Sequence, residues 1–347
     1  MASQKLFDSY PAFPNDIPIA NVEKISLAKL TAGDPTEVSR MFSACTELGF
    51  FLLDLKNDEV GMSLQKDVDV MLGLAKEVFD LPYEEKTVYN QVSPQKLVGY
   101  KAAGVMKTET GQPDQCEFFS ISRDDMLGTE PMGENPRVIH ENRTHIILYL
   151  NHINSIAQLL LASIDSQLGL PDGKLSSLQK TSMPSGTVIR MIRYASQDPS
   201  ARRTALLPHT DYGSITLLTS VLGGLQILPH GSDWRYIKPE PGCLIVNMGD
   251  AMVEWTGGVL RSNLHRVTYA PGAQAECTRH SIAYLIRPER DVSMKRIVGG
   301  RIPDVEHDEE ELDITAMEWE MKKAMALKAG ADIAKTRGGR PMKPLSV

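Results

Sequence analysis

The chain has 347 residues and a formal net charge of −7. That length suits one large domain or two ordinary ones, and 42% apolar residues are enough for a sizeable core. The mild acidity, with Lys and Arg spread along the chain, leaves no electrostatic footprint for nucleic acid.

Cys45, Cys116, Cys243 and Cys277 are far apart, with no Cys-x-x-Cys pair and no zinc spacing. They read as free thiols in a reducing compartment. Met1-Ala-Ser-Gln-Lys5 has no apolar segment of the secretory kind, and no run approaches ~18–20 apolar residues. The expectation is a cytoplasmic protein with no membrane and no nucleic-acid partner, a monomer or weak homo-oligomer acting on a small molecule.

Residues 1–20 are Pro-rich and read as an extended arm or edge strand, since proline fixes φ and lacks a donor. Asp34, Pro35 and Glu37 predict a helix start with a capping box. Val38, Met41, Phe42, Cys45 and Leu48 recur at helical spacing, and Gly49 stops the helix. Phe50-Phe-Leu-Leu-Asp54 follows as a buried strand. A second helix is predicted from about Ser63 to Phe79, with Leu64, Val68, Met71, Leu72, Ala75 and Val78 on one face and Pro82 ending it. Residues 91–137 are irregular and glycine-punctuated, apart from a strand over Gln115–Ser122. A long loop-rich stretch of this kind is often functional.

A long helix spans Arg143 to Leu168, stopped by Gly169 and Pro171. His145 and His152 share a face with Leu148 and Ile156, which reads as core or interface packing. From Gly186 the pattern changes to short strands: 188–194, 214–220, 225–228, 234–238, 243–248, 264–269 and 280–286. Gly and Pro pairs punctuate them, which argues for a sandwich, barrel or jelly roll. A last helix runs from about Ile314 to Ala329, with Trp319, Met321 and Leu327 as its apolar surface. The final Arg337-Gly-Gly-Arg-Pro-Met-Lys343 reads as loose chain.

The chemistry centres on His209-Thr-Asp211. On an extended strand, residues two apart share a face, so an imidazole and a carboxylate project together. His265, at the start of a later strand, supplies a third donor. Two histidines and one carboxylate with open positions form the facial triad of non-haem Fe(II) oxygenases. Zinc could bind the same trio, but would leave the downstream residues without a role. Arg279 and Ser281 again share a strand face. An inward arginine needs an anion, either an internal Asp or Glu or a bound carboxylic acid, and its planar fork suits a carboxylate. Tyr194, on a neighbouring strand, could add a phenol hydrogen bond to the same acid or be a core aromatic.

His209-Thr-Asp211, Gly223-Gly-Leu-Gln-Ile227, Gly249-Asp-Ala-Met-Val-Glu-Trp-Thr-Gly257, Ser262-Asn-Leu-His-Arg-Val267 and Arg279-His-Ser281 together resemble the isopenicillin N synthase-like family of Fe(II)/2-oxoglutarate dioxygenases. Upstream, Asp16-Ile-Pro-Ile19, Gly49-Phe-Phe-Leu52, Leu81-Pro-Tyr-Glu-Glu-Lys86 and Gly99-Tyr100 resemble its N-terminal region. The resemblance covers roughly residues 14–290. It implies an α+β fold with a mainly β core, a distorted double-stranded β-helix (jelly roll) flanked by N-terminal and C-terminal helices. It implies Fe(II) on His209, Asp211 and His265. It also implies O2 and the cosubstrate 2-oxoglutarate, with Arg279, Ser281 and Tyr194 on the acid. Arg-x-Ser follows the second histidine later here than is usual in the family, and Pro271–Cys277 reads as a longer hairpin loop.

The substrate side is carried by parity. Arg190 and Ile192 share the face of Tyr194, and Leu285 shares that of Arg279 and Ser281. With Tyr100 they are the candidate substrate contacts. The organisation expected is an N-terminal region (1–137) with irregular substrate-side loops, then a support helix and catalytic core (138–290), then a helical tail (291–347), packed as one unit. The reaction expected is oxidation of a small secondary metabolite with release of succinate and CO2, by hydroxylation, desaturation or ring rearrangement. Two alternatives stay open: an Fe(II) oxidase of the same fold that uses no 2-oxoglutarate, and a non-catalytic jelly-roll binding protein.

Overall fold

Phe50-Phe-Leu-Leu-Asp54 is apolar without alternation because both of its faces are covered. Phe50 and Leu52 point into one apolar cluster, Phe51 and Leu53 into another. The computed structural model describes residues 4–106, 111–196, 206–307, 309 and 311–328. Its twelve strands are β1 (Lys24–Ser26), β2 (Phe50–Asp54), β3 (Gly99–Lys101), β4 (Cys116–Ser122), β5 (Val188–Tyr194), β6 (Leu206–His209), β7 (Ile215–Ser220), β8 (Leu225–Ile227), β9 (Arg235–Tyr236), β10 (Cys243–Met248), β11 (His265–Val267) and β12 (Arg279–Leu285). Eight form one sheet in the order β1-β2-β10-β7-β12-β5-β4-β3, and four form a second in the order β6-β11-β8-β9. The smaller apolar cluster draws on both sheets, from Phe50, Phe118, Tyr194 and Ile245 on one and Leu225, Ile227 and Val267 on the other. The larger cluster joins the opposite face of the eight-stranded sheet to the helices. Strands from either side of residue 138 share that sheet, so backbone hydrogen bonds hold the two regions together.

The helix Pro35–Glu47 starts as its cap predicts, with the Asp34 carboxylate accepting from the Thr36 and Glu37 N–H groups. The predicted capping box does not close. The Glu37 carboxylate instead accepts from Ser26 N–H at 2.6 Å and pairs with Arg40, tying the helix to the end of β1. Gly49 (φ 72°) then turns the chain into β2. A Cβ there would lie 2.1 Å from the Arg261 carbonyl oxygen, so the turn needs glycine for both its conformation and its close approach.

The second helix runs over Glu59–Asp80, longer than expected, because the Asp58 carboxylate caps it through Gly61 N–H at 2.8 Å. It packs against the long helix Arg143–Leu168, whose bounds agree with the sequence reading. That helix buries Ile146, Leu150, Ile153, Ala157, Leu161 and Ile164 in the larger core. It has no unbroken apolar run, yet by length and mean composition it could cross a membrane, which the sequence reading did not foresee. Its His145 and Leu148 are exposed rather than packed, and His152 pairs with Asp67 at 2.6 Å.

Three further segments differ from expectation. The N-terminal arm contains a short helix, Gln4–Asp8, before Ile19 bridges to Tyr236 beside β9. The segment expected as a longer hairpin loop forms a 3-10 turn over Gly272–Glu276, and its buried Gln274 donates to Pro11 O and accepts from Gly223 N–H. The last helix spans Ala316–Lys328, with Trp319 buried and Met321 exposed. The Leu327 side chain and the segment 337–343 lie outside the described residues.

Candidate metal and cosubstrate site

His209 is the last residue of β6, a strand the sequence reading did not separate from β7. Pro208 explains that omission, since proline is confined to strand edges, and β6 is the edge of the four-stranded sheet. β11 pairs with it so that His265 stands directly opposite His209. Their ring centroids are 4.3 Å apart. Asp211 does not share a strand with His209, as parity suggested. It follows β6 in the turn that leads to β7.

Each donor is oriented by a second contact. The His209 Nδ1 lies 2.8 Å from Leu207 O and the His265 Nδ1 lies 3.1 Å from Asn263 O. Those carbonyls accept, so both Nδ1 atoms carry the proton and both Nε2 lone pairs are free to bind metal. Each Nε2 lies 3.9 Å from Asp211 Oδ1. Asp211 Oδ2 accepts from Thr216 Oγ1 at 2.6 Å and from Asn247 Nδ2 at 2.9 Å, leaving Oδ1 turned to the histidines. The three donor atoms fall within 4.8 Å of one another. This set, two neutral imidazoles and one carboxylate, fits a divalent transition metal with open positions.

Electrostatics agree with that fit. Burial, then the neighbouring His265, pushes the His209 pKa down to about 4, so its imidazole is neutral near pH 7. Burial works against the Asp211 carboxylate, but the two histidines and the Asn247 and Thr216 donors outweigh it and hold its pKa below the usual range. Phe50 packs edge-on against His265, with centroids 5.5 Å apart, and covers the metal side from β2.

Arg279 and Tyr194 are cross-strand neighbours on β12 and β5. The Arg279 guanidinium carbon sits 5.1 Å from the Tyr194 ring centre. Arg279 is 4% exposed and no carboxylate pairs with it among the described residues. Among the described residues it donates to Ser281 Oγ at 3.2 Å and, at 3.4 Å, to Leu222 O. The buried Tyr194 hydroxyl has no oxygen or nitrogen hydrogen-bond partner among the described residues; its cross-strand neighbour Cys116 offers only a weak thiol contact. Burial lowers the Arg279 pKa and raises that of Tyr194, as expected for charges and phenols withdrawn from water. A desolvated guanidinium beside a buried phenol has the chemistry to accept an acid.

Of the candidate substrate contacts, Arg190, Ile192 and Leu285 lie on the faces parity gave them. Arg190 stacks over Phe118, and Ile192 packs into the cluster between the sheets. Leu285 pairs with Thr216 beside Asp211. Tyr100 is not among them. Its partner on β4 is Phe119, so it faces the helices, where its hydroxyl donates to Glu117 Oε2 at 2.7 Å.

The sequence reading missed the supports. Asp250, 1% exposed, accepts from Thr210 Oγ1 and Ser262 Oγ and pairs with Lys323 of the last helix at 2.8 Å. Trp319 Nε1 of that helix donates to Tyr212 O at 2.9 Å. The C-terminal helix therefore braces the turn that carries Asp211. Asp250 stood inside a quoted motif, but nothing near Lys323 signalled a partner so far along the chain.

Residues 186–288 match the 2OG-Fe(II) oxygenase superfamily, and residues 17–142 match the N-terminal region of non-haem dioxygenases in morphine synthesis. The chain is 32% identical over 323 residues to a 2-oxoglutarate-dependent dioxygenase of Aspergillus fumigatus, covering 86% of this chain and 83% of that one. It is 30% identical over 287 residues to a 2-oxoglutarate-dependent dioxygenase of Glarea lozoyensis, covering 81% and 84%. A full-length Neurospora crassa protein solved in complex with alpha-KG superposes with a TM-score of 0.74 at 22% identity, over 90% of this chain and 98% of that one. That likeness bears out the double-stranded β-helix.

Proposed function

This chain belongs to the 2OG-Fe(II) oxygenase superfamily, and we propose that it oxidises a small secondary metabolite with conversion of 2-oxoglutarate to succinate and CO2. Fe(II) and 2-oxoglutarate are its cofactor and cosubstrate. His209, Asp211 and His265 hold the metal, which when bound supplies the dioxygen chemistry. Arg279 grips the distal carboxylate of 2-oxoglutarate through its fork, Ser281 adds a hydroxyl, and Tyr194 donates to the same acid. Leu207 O and Asn263 O fix the imidazole tautomers, while Thr216 and Asn247 fix the carboxylate. Phe50, Ile192 and Leu225 keep water from the space between the sheets. Hydroxylation is the default outcome; desaturation and ring rearrangement draw on the same hydrogen removal.

The observation that carries this reading is the buried Arg279 with no carboxylate partner among the described residues, next to a buried Tyr194 hydroxyl with only the weak Cys116 thiol beside it. A substrate carboxylate could use the same pair in an oxidase without 2-oxoglutarate; the relatives, 2-oxoglutarate-dependent dioxygenases at 30–32% identity, favour the cosubstrate. The N-terminal match to dioxygenases of morphine synthesis supports a secondary-metabolite substrate. The four free thiols favour the cytoplasm, and the acidic balance favours no nucleic-acid partner. We take the working form as a monomer or weak homo-oligomer.

The test is succinate formation by the Fe(II)-loaded protein in air. Slow conversion of 2-oxoglutarate without a prime substrate is expected. No succinate above the level of an Asp211→Ala control would overturn the reading.

A further inference from the structure

Two guanidiniums face the space between the sheets, and the distal carboxylate of one 2-oxoglutarate can satisfy only one of them. Arg279 stands opposite Tyr194, whereas Arg190 stands opposite Ser120 on β4 and Ala283 on β12. Arg190 and Tyr194 are four residues apart on β5, which at ~3.3 Å per residue separates them by roughly 13 Å. The two side chains are therefore rooted at different ends of the site, Arg190 near Asp211 and His209 and Arg279 beside Tyr194.

Arg190 has no carboxylate partner among the described residues. Its Nε donates to Ser120 Oγ at 3.0 Å, and its guanidinium carbon lies 4.3 Å from the Phe118 ring centre. Neither contact neutralises its charge, and no hydrogen bond from its two terminal nitrogens is found among the described residues. The groups around it are Tyr212, Arg287, Cys116 and Asp211. Arg287 is already paired with Glu320, and Asp211 is committed to the metal side through Thr216 and Asn247. The formal charges then leave a remainder. Fe(II), Arg279 and Arg190 bring four positive charges; Asp211 and 2-oxoglutarate bring three negative. One positive charge, withdrawn from water by burial, is left without a counter-ion, which is costly.

We infer that Arg190 is the anchor for an acidic group on the prime substrate, a carboxylate or an acidic enol. This rests on the 2-oxoglutarate reading above, because a cosubstrate held at Arg279 is what leaves Arg190 unmatched. The anchored substrate would lie along β5 past Ile192, on the Leu285 side of the cavity. Phe118, in cation–π contact with the guanidinium, limits where the fork can point.

The experiment uses the full chain under anaerobic conditions with Fe(II) and saturating 2-oxoglutarate. The visible charge-transfer band is followed while matched probes are added: benzoate against benzamide, and 1,3-cyclohexanedione against cyclohexanone. The acidic member of at least one pair should perturb the band at roughly tenfold or more lower concentration than its neutral partner, the scale of a desolvated charged hydrogen bond. Arg190→Gln should abolish that preference, and Arg190→Lys should restore part of it, since only the charge returns. Equal responses to acid and neutral probes, no response to either acid, or a preference that survives in Arg190→Gln would overturn the inference. If the band fails to form with 2-oxoglutarate in the unmodified protein, the cosubstrate reading fails instead.

Discussion

His209 and His265 stand directly opposite one another on β6 and β11, with ring centroids 4.3 Å apart. The backbone ladder sets their separation, so a metal bound between them clips an edge strand to its neighbour. A ligand that binds only the folded state at about a hundred times its Kd stabilises by ~2.7 kcal/mol. Adding Fe(II) anaerobically, or Co(II) as a redox-stable stand-in, should therefore raise the melting temperature by several degrees. His265→Ala should remove most of that shift. A metal-induced shift of wild-type size in His265→Ala would show that the triad is wrongly drawn.

Asn247 and Thr216 hold one oxygen of Asp211 so that the other points to the histidines. Removing a partner of this kind weakens metal binding by roughly 10- to 100-fold. Asn247→Ala should do so while the remaining Thr216 bond keeps some orientation. Competition against a metal-responsive dye measures the effect; unchanged affinity would mean that the turn alone orients Asp211.

Stability of the metal-free protein should depend on pH through His209. Its pKa is about 4 in the fold, below the ordinary value of 6.5. Between those values the unfolded chain takes a proton that the folded chain refuses, so stability falls as pH drops from about 6.5 to about 4. At 1.36 kcal/mol per unit the loss is at most ~3 kcal/mol. Urea midpoints of the metal-free protein and of His209→Gln across that range should diverge, with the shallower slope in the variant. Parallel slopes would assign the pH dependence elsewhere.

Lys323 is the charged partner of the buried Asp250, which also holds the hydroxyls of Thr210 and Ser262. Lys323→Met leaves that carboxylate without a counter-ion and should cost roughly 3 kcal/mol. Adding Asp250→Asn to Lys323→Met should recover part of the loss, because the buried charge is gone. Chemical denaturation of the two single variants and the double variant decides it. Additive losses would mean that the two side chains act independently.

Much of this was legible where one signal dominated. The helix Arg143–Leu168 and the strands β5 and β10 were bounded as found, because long apolar periodicity and Gly or Pro punctuation agree there. Parity joined Arg279 with Ser281 on one strand and Arg190 and Ile192 with Tyr194 on another, since side chains two apart share a face, and the pairing of Arg279 with Tyr194 puts both sets on the same face of the sheet. Strand β6 was hidden by Pro208, whose edge position only the sheet order reveals. The face of Tyr100 depends on its pairing with Phe119, a contact the sequence does not encode locally. Glu37 met its local expectation halfway: the helix starts where predicted, but the Ser26 amide outcompeted the Asp34 amide for its carboxylate. The brace from Lys323 to Asp250 joins residues remote in the chain, and no periodic pattern reports such a pair.

The central claim is that Arg279 awaits a cosubstrate acid rather than an internal partner. Truncating one side of a buried, hydrogen-bonded charge pair costs ~2–5 kcal/mol or more. At ~1.4 kcal/mol per decade, Arg279→Ala should weaken 2-oxoglutarate binding by roughly thirty- to several-thousand-fold. Lysine should rescue only partly, lacking the planar fork. Titration of the Fe(II) charge-transfer band with 2-oxoglutarate, beside the melting temperature without cosubstrate, is the most direct measurement. The account predicts a large loss of 2-oxoglutarate affinity with metal binding intact and little change in cosubstrate-free stability. A large loss of that stability with near-normal 2-oxoglutarate affinity would contradict it.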